Sequence, residues 1–121
     1  MFELSQRFFF DAAHTLQREI ERDGSRRIHG HTYHAEVCIA GIPDSKTGMV
    51  ADLGAVQQAI AKLRPKLDHH LLDEVLGLGA PTLENLCLFI WNELAPDLPG
   101  LSCVVVERQA SGNKCVYRPR P

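Results

Sequence analysis

Three histidines in the first third of the chain have the spacing expected of a metal site. His29 and His31 are separated by one glycine, and residues i and i+2 of a strand point to the same side, with Cβ atoms roughly 6–7 Å apart. The pair alone is a weak signal, but His14 is a candidate third ligand if its strand lies beside that of His29. Three imidazoles leave one coordination position open, as in catalytic zinc sites. The sequence therefore predicts Zn2+ bound by these three histidines, with a purely structural zinc as the less favoured alternative.

Two further groups could carry acid–base chemistry or bind a ligand. Asp68 precedes His69 and His70, and a carboxylate can orient an imidazole for proton transfer. A polar loop would explain the same residues, and the sequence does not choose between the two histidines. Glu107 follows the apolar run 104–106, where a carboxylate is costly unless it is paired. It could bind the paired N–H donors of an amino-pyrimidinone ring, or it could simply end a strand in solvent.

The composition limits the partners. The 121 residues carry a net charge of −2, which argues against nucleic acid or an acidic membrane, because both select a basic face. The adjacent Arg26 and Arg27 still allow a small anionic ligand. We find no membrane-spanning apolar run, no signal peptide and no C-x-x-C spacing among the four cysteines, which therefore read as buried free thiols. These features predict a cytoplasmic protein with one domain, 1–121, and no linker.

The hydrophobic pattern predicts the order β-β-α-α-β-β. Residues 1–10 alternate, and the same parity reaches His14 if the strand continues; residues 29–42 alternate again. Residues 15–28 and 66–80 read as irregular connections. Asp52 and Thr82 are N-cap candidates for two helices that end near Pro65 and Pro96. Residues 101–109 and 114–118 predict a hairpin. We expect an α+β fold, with a four-stranded antiparallel sheet and two helices on one face.

The second face of this sheet is expected to contact another subunit. In the second predicted strand, the residues that point to this face, among them Glu36 and Cys38, are neither all polar nor all apolar. Such a mixture is unusual for a face in water. A monomer with an ordinary solvated face is the alternative.

Five motifs occur in an order that resembles one known family. They are FDAAH at 10–14, HGH at 29–31, LDHHL at 67–71, PTLEN at 81–85 and VE at 106–107. Together they resemble the 6-pyruvoyl-tetrahydropterin synthase family over nearly the whole chain. The bacterial branch, 6-carboxy-tetrahydropterin synthase of queuosine biosynthesis, is similar in chain length and in the residues of these motifs.

The resemblance implies a fold, a substrate and a set of residue roles. It implies the tunnelling fold, assembled as trimers that stack into hexamers, with the active site at a subunit boundary. The matching positions are His14, His29 and His31 for zinc, Asp68 and His69 for acid–base catalysis, and Glu107 as the pterin anchor. Thr82 matches a substrate-binding position, although capping alone explains a threonine there, and Arg27 could meet a triphosphate. The implied reaction converts 7,8-dihydroneopterin triphosphate to 6-carboxy-5,6,7,8-tetrahydropterin, acetaldehyde and triphosphate.

One position departs from the family pattern. Family members carry a catalytic cysteine four residues before the first histidine of HGH, where this chain has Ser25. A serine hydroxyl does not readily replace a thiolate as a base. Three accounts remain open: a replaced cysteine that impairs the lyase, an enzyme that relies on His69, or a non-catalytic zinc- and pterin-binding oligomer. A 6-pyruvoyl-tetrahydropterin synthase type of activity is a further alternative.

Overall fold

The computed structural model describes residues 1–15 and 27–119. Within them the chain forms strands β1 (Phe2–His14) and β2 (His29–Gly41), helices α1 (Leu53–Leu63) and α2 (Leu83–Leu94), and strands β3 (Leu101–Arg108) and β4 (Asn113–Tyr117). The four strands form one antiparallel sheet in the order β1-β2-β3-β4. The predicted α+β architecture and its element order are confirmed. Most of the predicted loop 15–28 lies outside the described residues.

Both predicted N-caps are present, and they set where the helices begin. The Asp52 carboxylate accepts a hydrogen bond from the Gly54 N–H at 2.8 Å, and the Thr82 hydroxyl accepts one from the Asn85 N–H at 3.1 Å. Such caps satisfy N–H groups that have no partner inside the helix. Pro65 does follow α1, but it lies inside a 3-10 turn (Arg64–Lys66), and a second 3-10 turn (Leu72–Glu74) occupies part of the irregular connection.

Alternation along the strands separates a buried face from a partly exposed one. The buried face packs against α1 and α2 and includes Phe10, Tyr33 and Val104, each at most 1% exposed. The helices contribute the apolar residues Val56, Ile60, Leu63, Leu86, Ile90 and Leu94. We call this side of the sheet the inner face, and both helices lie on it, as predicted.

The opposite side, the outer face, is chemically mixed. Arg7 and Glu36 form an ion pair there at 3.0 Å, while Phe9 is 50% exposed. Cys38 and Cys103 face each other across β2 and β3 and are buried. They and the other two cysteines are unpaired, as predicted, although Cys115 is only half-buried. No helix in the described part of the chain is long and apolar enough to cross a membrane.

Candidate active site

The pairing of β1 with β2 brings the three predicted histidines together at one end of the inner face. His14 lies opposite His29, and His31 lies opposite Ala12, two residues before His14. The ring centroids are 4.5 Å apart for His14 and His29, 4.8 Å for His14 and His31, and 5.0 Å for His29 and His31. One ligand nitrogen from each ring lies within 4.8 Å of the others. Strand β1 does continue to His14, which was the condition for this cluster.

Backbone carbonyls orient two of the rings so that they present their second nitrogen to the cluster. Nδ1 of His14 lies 3.2 Å from the Pro81 carbonyl oxygen, and Nδ1 of His29 lies 2.7 Å from that of Arg27. An imidazole that donates through Nδ1 keeps a lone pair on Nε2 for a metal. Nε2 of His14 and of His31 are buried and have no hydrogen-bond partner among residues 1–15 and 27–119. A bound metal would satisfy both atoms.

The environment favours the neutral form of two of the imidazoles, which is the form that binds metals. Burial, followed by the charges of His29 and His31, lowers the pKa of His14 to about 4. The pKa of His31 is also lowered, first by burial and then by the Arg108 guanidinium. Three imidazole nitrogens without a thiolate fit a zinc ion that keeps a position open for another ligand. The site therefore has a donor set that suits zinc.

The predicted acid–base pair is attached to the free edge of β1. The Asp11 N–H donates to the Asp68 carboxylate at 3.0 Å, and the His69 N–H donates to the Asp11 carbonyl at 2.7 Å. The hydrogen bond from Asp11, together with the nearby Arg64 guanidinium, holds the pKa of Asp68 below its usual value. His69 has φ 60°, a left-handed conformation that is unfavourable for a non-glycine residue and is often retained at functional sites.

The structure distinguishes His69 from its neighbour. Nε2 of His69 lies 3.8 Å from the Asp68 carboxylate, and its side chain is 79% exposed. Nδ1 of His70 instead lies 2.9 Å from the backbone oxygen of Asp68. Only His69 therefore combines an exposed ring with a facing carboxylate, which is the arrangement needed for proton transfer.

The acid–base pair and the histidine cluster form two separate groups of side chains in the chain. Asp11 groups with Asp68 and His69, and its carboxylate accepts a hydrogen bond from the Thr32 hydroxyl across the strand pair. Because successive strand residues point to opposite faces, Asp11 and Thr32 belong to the outer face, whereas His14 belongs to the inner face. A cleft of ≈ 540 Å³ at this end of the β1–β2 pair borders both groups and is lined by Asp11, Ala12, Ala13, Gly30, His31, Thr32, His69, His70 and Leu71.

Comparison with known proteins identifies the family to which this chain belongs. The family described as 6-pyruvoyl tetrahydropterin synthase matches residues 3–120. This chain belongs to that family. A 6-carboxy-5,6,7,8-tetrahydropterin synthase from Synechocystis is 32% identical, with 99% of this chain and 96% of the relative covered. A 6-pyruvoyl tetrahydrobiopterin synthase from Dictyostelium discoideum is 30% identical over 95% of this chain and 94% of the relative.

A solved structure shows the same fold. The Caenorhabditis elegans 6-pyruvoyl tetrahydropterin synthase superposes with a TM-score of 0.84 at 23% identity, covering 97% of this chain and 94% of that one. The resemblance seen in the five motifs, and the prediction that the chain is an enzyme of the 6-pyruvoyl tetrahydropterin synthase family, are confirmed.

The remaining residues assigned by the resemblance to this family occupy separate places. Glu107 lies opposite His34 on the outer face, where its carboxylate accepts from Gln109 at 3.4 Å. Thr82 caps α2, and the Pro81 carbonyl beside it orients His14. Arg27 is exposed and reaches the cluster through its backbone oxygen rather than its guanidinium. Ser25, the departure from the family pattern, lies outside the described residues. The roles of all four stay predictions.

Sequence reasoning assigned no role to two residues beside the histidine cluster. Tyr33 follows His31 on the inner face, with 5.7 Å between their ring centroids, and Arg108 shares the inward parity of Val104 and Val106. Strand alternation could have placed both residues near the cluster. The Tyr33 hydroxyl and Nε of Arg108 are buried and have no hydrogen-bond partner among the described residues, which is visible only in three dimensions.

Proposed function

We propose that this protein is a zinc-dependent lyase that converts 7,8-dihydroneopterin triphosphate to 6-carboxy-5,6,7,8-tetrahydropterin, acetaldehyde and triphosphate, a reaction of queuosine biosynthesis. The single observation that carries the proposal is the cluster of His14, His29 and His31, with two buried Nε2 atoms that lack partners among the described residues. The Synechocystis relative, which matches over almost the full length of both chains, supports the choice of product.

The residues of the chain divide the chemistry between metal binding and proton transfer. His14, His29 and His31 would hold the metal, which when bound supplies Lewis acidity toward oxygens of the substrate side chain. His69 would take up or deliver a proton at Nε2, with the imidazolium stabilised by the Asp68 carboxylate. The Asp11 N–H donates to the Asp68 carboxylate and the Asp11 carbonyl accepts from the His69 N–H, so the carboxylate and the His69 backbone are held against β1 before the reaction.

The site would be completed between subunits. Asp68, His69 and Glu107 are associated with the outer face, whereas the metal ligands are on the inner face. Because of this division, we infer that a substrate held by the metal of one subunit meets His69 and Glu107 of a neighbouring subunit. We therefore propose a homo-oligomer, a trimer or hexamer, whose outer face is covered by another copy. Glu107 would accept two N–H bonds from the pterin ring.

The remaining proposals concern the location of the protein in the cell, its partners and its alternative functions. We propose a cytoplasmic enzyme whose partners are the pterin substrate and further copies of the same chain, without nucleic acid or membrane. A second candidate function, zinc and pterin binding without turnover, is favoured by Ser25, since the cysteine that the family resemblance implies is missing there. Formation of 6-pyruvoyl-tetrahydropterin is a further alternative, in line with the name of the Dictyostelium relative.

Product analysis separates these functions. Purified protein with measured zinc content is incubated with 7,8-dihydroneopterin triphosphate, and the pterins, acetaldehyde and triphosphate are quantified by mass spectrometry and enzymatic assay. The proposal predicts equal amounts of 6-carboxy-tetrahydropterin and acetaldehyde, both lost in His31→Ala together with the zinc. A 6-pyruvoyl product without acetaldehyde indicates the synthase alternative. Zinc and pterin binding without any product indicates the non-catalytic oligomer.

A further inference from the structure

Four buried polar atoms on the inner face have no hydrogen-bond partner within the described part of the chain. They are Nε2 of His14, Nε2 of His31, the Tyr33 hydroxyl and Nε of Arg108. The ring centroid of Tyr33 lies 5.7 Å from that of His31 and 6.3 Å from that of His14. Glu107 pairs with His34, so the next residue on β3, Arg108, lies at the level of Tyr33 on the inner face. The four atoms therefore form one unsatisfied group.

A metal would account for only half of this group. It would bind the two imidazole nitrogens, but the Tyr33 hydroxyl and Nε of Arg108 would still lack an acceptor among the described residues. A guanidinium has only donors, and a buried donor without an acceptor costs free energy. Within residues 1–15 and 27–119, the Arg108 side chain donates one hydrogen bond, from Nη2 to the Asn113 side-chain oxygen at 3.3 Å, and this bond does not involve Nε. Tyr33 is 1% exposed, so water does not readily replace a missing partner.

Two acidic side chains of the described residues that lie near this group are directed elsewhere. Glu107 precedes Arg108 on β3 and therefore faces the outer side of the sheet. Asp73 lies near enough to His14 to be influenced by it, but it already accepts hydrogen bonds from the Thr15 N–H and hydroxyl. Among the described residues, the cluster thus combines three imidazoles, a guanidinium and a phenol, and neither of these two carboxylates pairs with Arg108.

We propose that Arg108 and Tyr33 form an oxyanion-binding subsite next to the three-histidine cluster, and that Arg108 is a specificity-determining residue for ligands bearing a carboxylate or phosphate. The subsite would take an oxygen of a ligand whose other oxygens reach the metal. Naming that ligand as a pterin with an anionic group at its side chain rests on the proposed function. The presence of the two donors, Arg108 and the Tyr33 hydroxyl, does not depend on the proposed function.

Equilibrium binding to the zinc-loaded protein tests the subsite without turnover. The probes are 6-carboxypterin, which carries a carboxylate, and 6-methylpterin, which has the same ring without charge, both followed by their fluorescence. Inorganic triphosphate, added as a competitor, tells whether the anion recognised is a carboxylate or a phosphate. The variants are Arg108→Gln, Arg108→Lys and Tyr33→Phe. Lys62→Gln is the matched control, because it removes an exposed cation on α1, away from the cluster.

Arg108→Gln is expected to weaken 6-carboxypterin binding about 10- to 100-fold, as for loss of a charge-assisted hydrogen bond, with 6-methylpterin binding unchanged. Arg108→Lys should recover part of the loss, and Tyr33→Phe should show a smaller one. Zinc content, circular dichroism and oligomeric state are measured for each variant, so that a misfolded protein is recognised. If Arg108→Gln is misfolded, Arg108→Lys and Tyr33→Phe carry the comparison.

The outcomes of these binding experiments test the subsite separately from the proposed function. If triphosphate competes with the wild type and this competition weakens in Arg108→Gln, the anion is a phosphate and the subsite still stands. Equal weakening of charged and neutral pterins, or no weakening in any variant, overturns it, as does a wild type that binds neither anion. If the protein selects anions through Arg108 but forms no product from 7,8-dihydroneopterin triphosphate, the proposed function fails and the subsite remains.

Discussion

Two inactive variants should restore activity when they are combined in one oligomer, because the histidine cluster and His69 lie on opposite faces of the sheet. His31→Ala removes a metal ligand. His69→Ala removes the exposed imidazole and leaves the three inner-face rings unchanged. Each variant alone is expected to lose about 10²- to 10⁴-fold in turnover, the usual effect of a positioned acid–base group; loss of the metal should cost at least as much.

The recovered activity can be calculated from the geometry. If each site takes its metal cluster from one subunit and His69 from a neighbour, random assembly of an equal mixture gives each half a one-in-two chance of being intact. About one quarter of the sites then contain both intact halves. Oligomers purified by both tags should therefore show about 25% of wild-type turnover if they are hexamers and about one third if they are trimers, since this purification removes unmixed trimers; both values are well above either variant. Their zinc content should be about half that of His69→Ala alone.

The assay uses two affinity tags. The variants are co-expressed with different tags, oligomers that carry both tags are purified in two steps, and acetaldehyde and triphosphate release are measured. Each variant co-expressed with a differently tagged copy of itself is the control for the procedure. If doubly tagged oligomers form but remain at the level of the single variants, the site is contained within one chain. The shared-site argument would then be wrong, and a stable monomer would rule it out as well.

Three further predictions concern single side chains. Glu107→Gln should weaken pterin binding about 10- to 100-fold by removing a charged acceptor, with zinc content unchanged; unaltered affinity would contradict the anchor role. Burial raises the pKa of Cys87 to about 12 from 9.0, so the thiolate fraction at pH 8.5 should fall about 1000-fold relative to the unfolded chain. Peptide mass spectrometry after alkylation should find Cys87 protected until denaturant is added, and this group's contribution to stability should be lost as the pH rises from 9 toward 12. Ser25→Cys should raise turnover about 10²- to 10⁴-fold if a thiol is the missing base; no gain in an already active protein would point to His69 instead.

The histidine cluster was predictable because it depends on rules that act along the strand. Two-residue alternation places His29 and His31 on one side, and the same parity carries from Phe10 to His14. The helix caps Asp52 and Thr82 are equally local, since each side chain bonds to a backbone N–H two or three residues later. The sequence alone therefore specifies these features once the element types are known.

The placement of the acid–base pair depends on contacts that alternation does not describe. The segment that holds Asp68 and His69 reaches β1 through hydrogen bonds between residues more than fifty positions apart. His69 also adopts a left-handed conformation, which its residue type does not suggest. The unsatisfied donors of Tyr33 and Arg108 likewise become visible only when the neighbours of every buried atom are known.

One short stretch of β1 positions both the histidine cluster and the acid–base pair. The Asp11 N–H and carbonyl hold Asp68 and His69, the Ala13 N–H bonds to the His70 carbonyl at 3.0 Å, and His14 presents its ring on the other face. A one-residue slip of β1 would move His14 to the outer face and would remove Asp11 from Thr32 at the same time. The histidine cluster and the acid–base pair therefore both require β1 to continue beyond Phe10. This continuation sets the position of the metal ligand relative to its partners on β2, and it sets the position of the acid–base pair relative to the neighbouring subunit's metal in the proposed assembly.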